Sequence, residues 1–187
     1  LKEAGVGTYG ASHRHQLCQL LYRASQRSRA RIRFSRIISP FASRGPLGFP
    51  EGNAENRALL RSGGRVNIEC EGPEGRDLVV MTVDEKMSIS VLMPSLFAPE
   101  TRVPGKVVTL PTSRDYETFH VKSDPGPHRL YALWTDDLVV QVVRKSLDPL
   151  EDVKDLNDGA VGAIVKLLKG QPEETLIVAV CDYVVKD

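Results

Sequence analysis

Short apolar runs separated by turn residues dominate the chain from Arg65 onward. Asp77–Asp84 is followed by a tight turn at Glu85-Lys86 and then by Met87–Pro94; past a polar, Pro-containing loop comes Lys106–Pro111. Runs of this kind, rich in Val and Ile and bounded by turn residues, read as strands. In the second run Met87, Ile89, Val91 and Met93 alternate with Ser88 and Ser90, which predicts one buried and one polar face. Arg65–Glu71 alternates in the same way, with Val66, Ile68 and Cys70 on one face. Gly72–Gly75 is read as the turn into the next strand. Tyr116–Lys122 and Arg129–Thr135 flank a turn at Asp124–Pro127, where Pro125-Gly126 suits the centre of a type II turn. Leu130, Ala132 and Trp134 then share a face, and Leu138–Val143 is a further short apolar run. The closing run, Thr175–Val185, is apolar on both faces over its first half and reads as a central strand paired on both sides.

Two stretches depart from this period, and one beside the first keeps it. Residues 12–27 carry Leu17, Leu20, Leu21 and Ala24 at helical spacing, with Ser12 placed as the cap. Residues 30–38 then switch to strand alternation, Ile32 and Phe34 on one side, Arg31 and Arg33 on the other, with an irregular basic arm as the alternative. Near the C-terminus, Asp148-Pro149 with Glu151 reads as a helix start. Asn157–Gly159 is expected to interrupt or kink that helix, and Val161, Ile164, Val165 and Leu168 continue its apolar stripe to a stop at Gly170. Pro and Gly crowd residues 39–52, the best candidate linker. A short helix is expected over 53–61, leading into a turn at Ser62–Gly64. The predicted organisation is therefore 1–52, an N-terminal helix, Arg-rich arm and Pro/Gly loop, and 53–187, a β-rich accessory domain.

Charge sharpens that division. Of the 25 basic residues 9 precede Glu51, and of the 24 acidic ones only Glu3 does, so the rest of the chain carries a net charge of about −7. Arg14, Arg23, Arg27, Arg29, Arg31, Arg33, Arg36 and Arg44 make a basic arm on an acidic body. Arginine without lysine favours bidentate contacts to carboxylate or phosphate. An acidic protein surface, the chain's own or a partner's, is the first reading; nucleic acid or an anionic surface is the alternative. Strand addition by residues 30–38, to the β-core or to a partner's edge, makes Arg29, Arg31, Ile32, Arg33, Phe34 and Arg36 the candidate partner contacts.

The chemistry-bearing residues form no recognisable catalytic pattern. Three cysteines, Cys18, Cys70 and Cys181, lack metal-ligand spacing; burial as small hydrophobes is the simple reading, and a Cys70–Cys181 disulfide the alternative. His13 and His15 with Cys18 lack the paired spacing of a zinc site. A hydrolase would need one of the cysteines beside His120 or His128, yet Cys70 and Cys181 lie in apolar runs that disfavour the thiolate. No nucleophile elbow, phosphate-binding Gly loop or HExxH motif is present. The sequence thus predicts no enzyme and no cofactor. It contains no apolar run long enough to span a bilayer. The basic start lacks the apolar stretch of a signal peptide, and Leu1 in first position marks a processed product or an excised piece, so a lost targeting signal stays open.

Gly64–Ile68, Leu78–Asp84, Ile89–Pro94, Arg102–Gly105, Thr109–Pro111, Leu130–Leu133 and Ala179–Val184, in this order and spacing, resemble a bacterial domain family of unknown function. That family is often appended to caspase-like peptidases, protein kinases and secreted or lipid-anchored proteins. The resemblance covers about residues 64–187 and not the arm. The family usually has Gly in the turn after the Asp, where this chain has Glu85 and Lys86. The resemblance implies a sandwich-like accessory module and transfers no catalytic residue. The expected fold is α+β, mostly β: an antiparallel β-sandwich-like core, a C-terminal helix packed on it, and an N-terminal helix and basic arm. The expected role is protein–protein recognition or scaffolding in a larger bacterial assembly. Frequent secretion within the family favours the periplasm, and the odd cysteine count favours the cytoplasm.

Overall fold

A computed structural model describes residues 12–39, 58–147 and 155–187. Three helices, α1 (His13–Ser25), α2 (Asp137–Ser146) and α3 (Asp158–Lys169), accompany nine strands among these residues. The strands are β1 (Arg31–Ile38), β2 (Ala58–Arg61), β3 (Arg65–Glu71), β4 (Asp77–Asp84), β5 (Ile89–Met93), β6 (Val107–Leu110), β7 (Phe119–His120), β8 (Gly126–Thr135) and β9 (Ile177–Lys186). One sheet has the order β1-β3-β6, with β7 also on β3; the other runs β2-β9-β8-β4-β5. All pairs are antiparallel except β2 with β9.

The fold is α+β and mostly β, in three layers: a small sheet, a large sheet and the helices. Val66, Ile68 and Cys70 of β3 face Leu78, Val80, Leu130, Ala132 and Trp134 of the large sheet, closing one core. Val79, Met81, Tyr131, Leu133 and Val178 point the other way, onto Leu17 and Leu21 of α1 and onto α2 and α3. Burying each large apolar side chain contributes about 1.5–3 kcal/mol. Strands of the large sheet gain this on both faces, which is why Leu78 to Met81 are apolar without alternation.

Local chemistry sets the helix ends. Ser12 Oγ accepts from the His15 amide, Asp136 from Leu138 and Asn157 from Ala160. Asp158 in the first turn of α3 and Lys166 and Lys169 in its last suit the helix dipole. Val161, Ile164, Val165 and Leu168 are buried, so the C-terminal helix packs on the sheet as its stripe predicts. Where α1 crosses α3, the His13 ring lies 2.8 Å from where a Cβ on Gly162 would stand. A larger residue there would push the exposed His13 ring aside.

Several expectations are corrected. Ala58–Arg61 is a strand: β9 offers it an edge at Tyr183–Lys186, and Leu60 is buried between the sheets. Leu138–Val143, set among the strand-like runs, belongs to α2; Val139, Val140 and Val143 are buried while Leu138 and Gln141 are exposed, a helical period. Asn157 begins α3 as its cap; residues 148–154, the proposed helix start, lie outside the described residues. Gly72–Gly75 carries the chain from one sheet to the other. In β5, Val80 pairs with Met93 and Met81 with Val91, which leaves Leu92 as an extra residue. That bulge turns Met93 to the inter-sheet core while Ile89 and Val91 stay on the helical side. The positive-φ position of the preceding turn falls on Met87, at φ 64°. β9 is paired along β8 from Ile177 to Val185 but meets β2 only from Tyr183 to Lys186.

The candidate linker lies outside the described residues except for Ser39, and the boundary at 52/53 falls there too. On either side of it the chain shares the same cores: Leu17 and Leu21 sit with the helical layer and Ile32 with the inter-sheet layer.

Candidate functional site

Residues 31–38 do add a strand to the β-core. β1 pairs with β3 from Arg31–Glu71 to Ile38–Arg65, with a bulge between Phe34 and Arg36. Alternation places the side chains: Ile32 is buried, Phe34 half-buried, and Arg31, Arg33 and Arg36 exposed. Phe34 meets Tyr183 of β9 edge-on, with centroids 5.2 Å apart. On the outer face, Nε and Nη2 of Arg33 both donate to Glu69 Oε1, at 2.9 and 2.6 Å. Arg31 stands in register with Glu71 and Arg36 with Asn67. Arg29, just before the strand, borders an open cleft that Lys106, Glu71 and Glu174 also line. Carboxylates of the body therefore face the arm's arginines across the strand pair.

The arginine set divides in two. Arg14 is a staple: its guanidinium donates to Asp158 Oδ1 at 2.7 Å, to the Met87 carbonyl at 3.0 Å and to the Leu156 carbonyl at 2.6 Å. Arg27 pairs with Glu173 at 2.7 Å. Arg29, Arg31 and Arg36 form no ion pair among the described residues, and Arg44 lies outside them. Among the described residues no strand covers the second edge of β1.

The Cys and His candidates are placed as follows. Cys18 and His128 line one cleft of about 260 Å³ with Asp84, Arg129, Tyr131 and Asp182. His128 stacks on Tyr183 and its Nε2 donates to the Asp124 carbonyl at 2.8 Å, which commits that nitrogen's proton. Burial raises the Cys18 thiol above its ordinary value, against the pull of Arg129 and Arg14. That direction is opposite to what an activated nucleophile needs. The Arg129 guanidinium is engaged by Asp182, at 2.6 and 3.1 Å, and lies 4.8 Å over the Tyr22 ring. All three thiols are free. Among the described residues no group of three or more metal-capable side chains occurs, and no helix is long and apolar enough to cross a membrane.

Sequence reasoning missed a cavity of about 280 Å³ between the sheets, into which Phe34, Thr82, Ser123 and Tyr183 all face. The only hint was polar Thr82 and Tyr183 within otherwise apolar strands. No family model matches the chain, and no curated protein matches it.

Proposed function

We propose that the chain is a non-catalytic protein-recognition module of a larger bacterial assembly, taking an extended acidic segment of a partner along the outer edge of β1. One observation carries the reading: an eight-residue strand lies at the margin of its sheet, its second edge uncovered among the described residues, with Arg31 and Arg36 exposed beside it. Outward amides and carbonyls of such an edge supply affinity, and the flanking arginines select carboxylates. Charges and a bulge on an edge strand also discourage indiscriminate pairing, so specificity and protection come from the same residues.

The test is amide hydrogen exchange of residues 31–38 with a peptide of alternating valine and glutamate. In an antiparallel edge strand about half the amides point outward and exchange quickly. The expected result is slowing of those amides, abolished by the double variant Arg31→Glu/Arg36→Glu and by a proline-substituted peptide. Unchanged exchange at saturating peptide sinks the proposal, as does equal protection with an alternating valine–lysine peptide.

A further inference from the structure

The two sheets leave a partly open cavity between them at one place. This cavity of about 280 Å³ has Ile68 and Phe119 on the small-sheet side and Leu130 on the large-sheet side, with Phe97 alongside. Exposed His120 and Lys122 lie at the rim, and Leu92, the bulged residue of β5, is half-buried at the cavity wall. An apolar hole of roughly 150 Å³ stays dry and accepts benzene. This one is about twice that size, enough for a two-ring molecule.

Its wall is not purely apolar. Thr82 Oγ1 and the Tyr183 hydroxyl are hydrogen-bonded at 2.6 Å, and Ser123 also bonds to Tyr183. Three hydroxyls joined by two bonds use two of their three hydrogens internally and keep one, along with lone pairs, for a further partner. Burial holds the Tyr183 phenol above its ordinary value, so it remains a donor through the neutral range. Phe34, edge-on at 5.2 Å, and His128, stacked at 5.1 Å, both hold the Tyr183 ring and so restrict the direction of that hydroxyl.

We infer that this inter-sheet cavity is a binding site for a compact, uncharged, two-ring-sized apolar molecule carrying one hydroxyl or carbonyl group, held by the Thr82–Tyr183 pair. Apolar walls supply most of the affinity and the hydroxyls the orientation, the usual division of labour in a small-molecule pocket. The inference is independent of strand addition at β1, whose outer edge the variants below leave untouched.

The experiment uses 1-naphthol and naphthalene as probes, titrated against the whole chain and followed by chemical-shift changes of the Phe119 and Leu130 signals. Both probes are expected to bind saturably and one to one. Thr82→Val/Tyr183→Phe/Ser123→Ala removes the three linked hydroxyls together and orphans none of them; it is expected to weaken 1-naphthol about five- to tenfold and naphthalene by less than about twofold. Leu92→Trp fills the hole from the rim and Val66→Phe from the opposite wall; either, once shown to fold, is expected to abolish binding of both probes. No saturable binding to the native chain overturns the inference. So does binding that survives both filling variants, or an equal loss for the two probes when the hydroxyls are removed.

Discussion

The ring of Phe34 meets the ring of Tyr183 edge-on, centroids 5.2 Å apart and planes at 76°. The contact ties the arginine-bearing edge strand of one sheet to the last strand of the other. His128 stacks on the same tyrosine at 5.1 Å, so one residue of β9 joins β1, β8 and, through Thr82, β4. Ile32 and Phe34 give the first strand its packing against the inter-sheet core.

The expected ranking of two variants follows. Phe34→Ala removes an aromatic contact and a half-buried ring, and is expected to cost about 2–3 kcal/mol of stability. Arg33→Ala breaks an ion pair whose arginine side chain is 71% exposed, worth no more than about 0.5–1 kcal/mol. Urea denaturation of both variants checks this, and added salt should move the native midpoint little.

Arg14 behaves differently from the other arginines. Its three hydrogen bonds reach Asp158 and two backbone carbonyls, and its side chain is 23% exposed. Arg14→Ala orphans two carbonyls and is expected to destabilise by about 1–3 kcal/mol, against less than about 0.5 for Arg31→Ala. Arg14→Lys, lacking the planar fork, is expected to recover only part of the loss. Thermal unfolding of the three variants is the measurement.

Gly72 touches the chain's single tryptophan. A Cβ there would stand 2.3 Å from the Trp134 ring, closer than packed atoms approach. Gly72→Ala is therefore expected to shift the indole, costing about 1–3 kcal/mol. Its fluorescence reports the change directly: a red shift and broader emission in the folded variant are expected, with no change for Gly75→Ala beyond its turn strain.

Alkali should weaken the fold through its thiols. Burial, with a smaller push from Glu69, raises Cys70 from an ordinary 9.0 to about 12, and burial with Asp182 raises Cys181 to about 11. Above pH 9 the unfolded chain loses thiol protons that the folded chain keeps, so the folded state binds more protons and stability falls as pH rises toward 12. Cys70 alone accounts for a loss on the order of 4 kcal/mol across that window. Urea midpoints should be flat from pH 7 to about 8.5 and decline beyond about 9, less steeply in Cys70→Ala.

Much of the molecule was readable from local pattern. Ser12 capping a stripe of Leu17, Leu21 and Ala24, the alternation of Val66, Ile68 and Cys70, and the stripe of Val161 to Leu168 all have a period that one segment carries by itself. The alternation of residues 30–38 likewise announced a strand with Ile32 and Phe34 inward. Which edge would receive it was not readable, because β3 becomes a neighbour only through the fold. Leu138–Val143 misled because β-branched content suggests strands, whereas Asp136 and the helix's seat on the large sheet decide otherwise. Ala58–Arg61 has helix-favouring residues, and only the edge of β9 makes it a strand. The face of Met93 depends on a bulge set by its pairing with Val80. The inter-sheet cavity and its Thr82–Tyr183 hydroxyl pair come from segments 101 residues apart. Periodicity within one segment determines which face is apolar; which two faces meet, and what space they leave between them, is a property of the assembled sheets.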